Sequence, residues 1–141
     1  MKAFLILPAH QKIEEVHYKG NYEDINKLLD ISTCTAVGLY ADITSLGFIT
    51  NEVAYIDDDG LFNDKHHYWI HRNFPTPLAG PGLFVGTDAE GNDIAPSTSI
   101  DQLRKDVKWV GDKHDARVMV RMFGHLGDDY RSVYFKEEEN V

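Results

Sequence analysis

The chain has 141 residues and 16.0 kDa, with 43% hydrophobic and 26% charged side chains, values that fit one globular domain and exclude wholesale disorder. Mean hydropathy is -0.36, no apolar run reaches the ~18 residues of a membrane span, and the single cysteine, Cys34, excludes an internal disulfide. The net charge of -9 makes nonspecific binding to nucleic-acid phosphates unfavourable, while leaving open either a solvated acidic surface or an inhibitor that imitates DNA.

Residues 2–7 form a short apolar run and predict a buried strand, too short for a signal-peptide core before Pro8. Residues 12–18, with Ile13 and Val16 among polar neighbours, suit the second arm of a hairpin. Asn21 is placed as a helix N-cap, with Glu23 and Asp24 in the first turn and Ile25, Leu28 and Leu29 on one face; this helix should stop near residues 31–33. Residues 35–40 and 48–56 read as strands, and Asp57-Asp58-Asp59-Gly60 breaks the second into a loop. Residues 83–87 make a fifth strand, reached through the Pro- and Gly-rich stretch 75–82. Ser99 and Gln102 have capping-box spacing and predict a helix over 100–107. Residues 107–110 and 116–123 are compatible with a closing hairpin, and the polar tail 136–141 is expected to fray. The links between strands are mostly too short for parallel crossovers. The expected fold is therefore a single α+β domain, an antiparallel sheet with two short helices packed on one face.

The opening Met1-Lys2-Ala3-Phe4-Leu5-Ile6, the arm over 13–17, the helix after Asn21, the pairs Asn51-Glu52 and Arg72-Asn73, and above all the stretch from Leu78 through Gly80-Pro81-Gly82 to Gly86-Thr87-Asp88 share an order. Over residues 1–95 they resemble the domain of unknown function 3846 family, small proteins of bacteriophages and mobile elements. In that family an Asn commonly precedes the Arg, whereas Asn73 follows Arg72. The resemblance implies a phage-type context, with residues 96–135 as an extension, and no defined chemistry.

Between Asp64 and Asp88 there is no carboxylate, although residues 1–100 carry 14 acidic and only 6 basic side chains. That interval holds Lys65, His66, His67, Tyr68, Trp69, His71, Arg72 and Asn73, and a flat anionic ligand needs such rings and donors. The competing expectation is that Tyr68, Trp69 and Ile70 cover the core. On a strand, Arg117, Met119 and Arg121 would share one face, and the two arginines are candidates to clasp an anion. The histidines lack the spacing that would require a metal. Aligning Gly60 with a calcium-loop glycine puts Tyr55 and His66 where acidic ligands belong, which fails. The glycines at 80, 82 and 86 precede a strand, so they form no dinucleotide fingerprint. Cys34 reads as an inert core thiol, and no serine has a nucleophile-elbow context.

The reading that follows is a non-catalytic, cytoplasmic, phage-type accessory protein with no cofactor or metal. It sequesters an anionic, nucleotide-type small molecule such as a host defence signal, as a homo-oligomer and without membrane association. The alternative is an acidic inhibitor of a host nucleic-acid enzyme that uses Glu14, Glu15, Asp57, Asp58 and Asp59. A third is a small hydrolase built on the histidines.

Overall fold

The computed structural model of the chain describes residues 1–43, 49–64, 66–126 and 133–135. Its scaffold starts with β1 (Lys2–Leu7), which turns tightly at residues 8–11 and pairs antiparallel with β2 (Lys12–His17), setting Phe4 opposite Glu15. α1 (Tyr22–Leu29) follows. Asn21 caps it by accepting from the Asp24 N–H at 2.8 Å, and a left-handed Asp30 ends it by donating back to Asn26 and Lys27. β3 (Cys34–Ile43) and β4 (Ile49–Asp57) pair antiparallel with a bulge between Gly38 and Tyr40, and a 3-10 turn covers Gly60–Phe62. The next strands are β5 (Tyr68–His71), β6 (Leu78–Ala79), β7 (Gly82–Thr87) and β8 (Asp93–Ile94). α2 (Ile100–Asp106), capped by Ser99, runs into β9 (Val107–Gly111), and α3 spans Lys113–Leu126.

The strands form two antiparallel sheets. The larger has the order β2-β1-β7-β4-β3, with β8 on the end of β7; the smaller is β6-β5-β9. The fold is α+β, as the sequence predicts. The arrangement of helices differs from the expected pair on one face. Alternation along β1 and β7 sends Ala3, Leu5, Leu83 and Val85 to pack with Ile25 and Leu29 of α1. Phe4, Ile6 and Phe84 point the other way, against Trp69 of the small sheet and Leu103 of α2. β1 and β7 are apolar over residues 3–7 and 82–86 because both their faces are covered. Among the described residues, no helix is long and apolar enough to cross a membrane.

Residues 116–123 are helical, which corrects the expected closing hairpin; β9 pairs with β5 instead. Burial follows the helical repeat: Ala116, Met119 and Phe123 pack on Tyr68, Ile70 and Ala79, while Val118, Val120 and Met122 are 46–55% exposed. The alternating Val-Met-Val pattern imitates a strand. The deciding signal is local. Asp112 Oδ1 accepts from the Asp115 N–H at 2.9 Å and Asp115 Oδ2 from the Asp112 N–H at 3.1 Å, a reciprocal cap that starts α3. The predicted tail 136–141, Lys65 and Phe48 lie outside the described residues.

Candidate functional site

The acid-free segment is mostly interior, because β5 lies between the large sheet and α3. Tyr68 and Trp69 are 4% and 0% exposed, so neither offers a free stacking face. The Trp69 indole donates to the Gly80 carbonyl at 2.9 Å. His66 Nε2 donates to Asp57 Oδ2 at 2.8 Å, and its ring lies over Gly80 (φ +80), where a Cβ would sit 2.8 Å from it. His67 is exposed and stands apart from this pair.

His71 is fully buried and anchors a polar relay across three elements. Its Nδ1 accepts from the Asn73 N–H at 3.0 Å, which assigns the ring proton to Nε2. Nε2 donates to the Tyr40 oxygen at 2.9 Å, and Tyr40 donates to Asp106 Oδ2 at 2.6 Å. Asp106, itself buried, also accepts from Gln102 and from Arg72 Nε at 3.0 Å. The Arg72 guanidinium lies over the Phe135 ring at 4.8 Å, and the Asn73 amide donates to the Leu39 carbonyl. Burial pulls the His71 pKa down to about 4, and burial with the Asp106 bond pushes the Tyr40 phenol up. The relay is saturated with partners and ties β3, β5 and α2 together. Of the residues singled out in 65–74, Trp69 and His71 are buried, and Arg72 and Asn73, less buried, hold hydrogen bonds to Asp106 and Leu39.

The two arginines fare differently. Arg117 and Arg121 lie one helical turn apart on the exposed side of α3 and line a groove of about 890 Å³. Its opposite wall is Leu61 and Phe62, 66% and 86% exposed, and its floor includes Tyr68 and Pro77. Lys113, one turn before Arg117, donates to Asp64 at 2.7 Å, and this bond holds the Asp64 carboxyl below its usual range. Neither Arg117 nor Arg121 forms an ion pair among the described residues. No family model, curated protein or solved structure matches the chain. The site therefore stands on its own geometry.

The groove joins a predicted pair to Leu61, Phe62 and Lys113, for which the sequence sets no expectation, and to Val120. Strand alternation puts Val120 with Val118 and Met122 on a core-facing side, and it is exposed because the segment is helical. Two signals were present. An adjacent apolar pair follows the acidic turn, and Lys113, Arg117 and Arg121 repeat at the helical spacing of four. Phe62 also lines an adjoining hollow of about 510 Å³ with Asp30, Asp57, Asp59 and Asp64, whereas Glu14 and Glu15 lie apart on the edge strand β2. Cys34 is half-buried and burial raises its thiol pKa, which disfavours the thiolate. Among the described residues no group of three or more His, Cys, Asp or Glu side chains is placed to hold a metal.

Proposed function

We propose that the protein is a non-catalytic binding protein that sequesters an anionic, ring-bearing small molecule of nucleotide type in the groove between Leu61-Phe62 and α3. The observation that carries this reading is the pairing of two exposed guanidinium groups, neither in an ion pair among the described residues, with an exposed aromatic ring in a ligand-sized groove. Guanidinium forks suit phosphate oxygens, and the Phe62 face suits a base. The described lining contains no carboxylate, and its guanidinium groups offer donors to an anion. The phage-type resemblance supplies a use for such grip, the removal of a host signal.

Calorimetry of the purified chain against AMP, a cyclic mononucleotide and ADP-ribose tests this. Saturable heat that weakens with salt, and is lost when Arg117 and Arg121 are both changed to Ala, is the expected result. Absence of heat with all three rejects it. The acidic hollow around Asp57 and Asp59 favours a second reading, capture of a basic protein surface. Salt-sensitive recovery of a nucleic-acid enzyme from host lysate, abolished by Asp57→Asn with Asp59→Asn, would support that reading instead.

A further inference from the structure

Leu61 and Phe62 are 66% and 86% exposed, an apolar pair presented by a braced turn. Asp57 accepts from the Asp59 N–H at 3.0 Å where the turn begins, and from His66 at 2.8 Å where the chain returns toward β5. Gly60 is buried against Ala79 beneath. Phe62 lines two adjoining cavities of opposite charge. The described lining of the groove carries Lys113, Arg117 and Arg121 and no carboxylate. The hollow of about 510 Å³ carries Asp30, Asp57, Asp59 and Asp64 and no cation. Lys113 and Asp64 neutralise one another at 2.7 Å. The two arginines are left on the groove side and exposed Asp30 and Asp59 on the hollow side.

A two-fold interface has to match itself, because the axis sets each patch of one copy against a patch of the other and the reverse. This surface meets that condition. The groove suits a ring together with an anion, and Phe62 is a ring with carboxylates beside it. A purely basic or purely acidic partner answers one half of the surface, whereas a second copy brings both complements at once. We propose that a second copy of this chain occupies this face, with the Phe62 ring of each copy seated in the groove of the other. Arg117 and Arg121 then face Asp30 and Asp59 of the partner subunit. The apolar floor of the groove, Tyr68, Pro77 and Ala116, receives the ring, as an aromatic anchor needs. The net charge of -9 opposes association, but screening over ~8 Å at physiological ionic strength leaves the close contacts to decide. The proposal rests on the preference of the groove for a ring with an anion, and it makes the second copy a competitor of any nucleotide there.

The test is sedimentation equilibrium of the full chain without nucleotide, over roughly 1 to 100 μM. The mass should rise from 16.0 kDa toward twice that value. Phe62→Ser, at an exposed position, should keep the wild-type melt and weaken the dimer about tenfold or more. Two charge-reversed variants then decide which patches meet. Arg117→Glu with Arg121→Glu, and Asp30→Lys with Asp59→Lys, each set like charges against each other and should stay monomeric alone. Mixed in equal amounts they should form a heterodimer, because both contacts across the axis are again between opposite charges. A monomeric mass over the whole range, a dimer indifferent to Phe62→Ser, or reversed variants that fail to associate when mixed would overturn the assignment. Self-association is read as mass without nucleotide, and nucleotide binding as heat on the monomeric chain, so failure of one leaves the other standing.

Discussion

Acidification should weaken this fold through His71 in a way that can be separated from its carboxylates. The ring is neutral in the folded state because it is buried and because both nitrogens are already committed, Nδ1 as an acceptor from Asn73 and Nε2 as a donor to Tyr40. A proton added to Nδ1 would face the Asn73 N–H. The folded pKa is about 4 against an ordinary 6.5, so the unfolded chain binds the extra proton first as pH falls. The neutral-ring contribution is complete above about pH 6.5 and is lost progressively down to pH 4, at 1.36 kcal/mol per unit, or about 3 kcal/mol in all. For a domain whose stability is ~5–15 kcal/mol, that is a large fraction. Urea unfolding at a series of pH values from 7.5 to 4 measures it, with His71→Gln as the reference that lacks the titrating ring. The variant should be less stable at pH 7.5, because the Tyr40–Asp106 relay loses its third member, but its stability should fall less steeply between pH 6.5 and 4. Equal slopes in the two proteins would refute the assignment of a buried neutral His71.

Trp69→Ala should cost about 3–5 kcal/mol from the cavity. The orphaned Gly80 carbonyl adds to this, so calorimetry should show a melting temperature lower by about 10 °C or more; a shift of two or three degrees would mean that the indole is not core. Arg117→Ala and Arg121→Ala should leave the melt unchanged, since both side chains are exposed, while each weakens ADP-ribose binding about tenfold or more in isothermal titration. Asp112→Ala removes half of the reciprocal cap on α3 and should destabilise by about 1 kcal/mol in urea, with the helical circular-dichroism signal reduced.

The positions at which sequence reading succeeded are those governed by neighbours a few residues away. The Asn21 and Ser99 caps act on amides three residues on, and β1 announces itself by a continuous apolar run. Where two local patterns compete, periodicity alone does not decide. Residues 116–123 satisfy a strand alternation and a helical repeat at once; the Asp112–Asp115 cap starts the helix locally, and the small sheet adds the tertiary support by offering Tyr68, Ile70 and Ala79 to the helical face. The same contact explains the histidine segment. Its composition resembles a ligand surface, yet the small sheet places Trp69 and His71 between two layers, where the imidazole is fed by Tyr40 and, through it, by Asp106, 31 and 35 residues away in the chain.

From the sequence alone came the α+β class, the first hairpin, the two capped helices, the acidity and the two arginines as candidate anion contacts. These depend on short-range hydrogen bonds, on apolar periodicity and on charge, all of which are written residue by residue. The tertiary structure alone decided that a second sheet forms, that the acid-free segment is interior, that Arg117 and Arg121 face Leu61 and Phe62, and that Tyr18 and Tyr55 share Asp93. Each of these depends on at least one contact between residues more than 30 positions apart, such as Trp69 with Trp109 or Tyr55 with Asp93. Such pairings are selected by which apolar faces can cover one another, a property of the assembled layers that no window of the sequence contains.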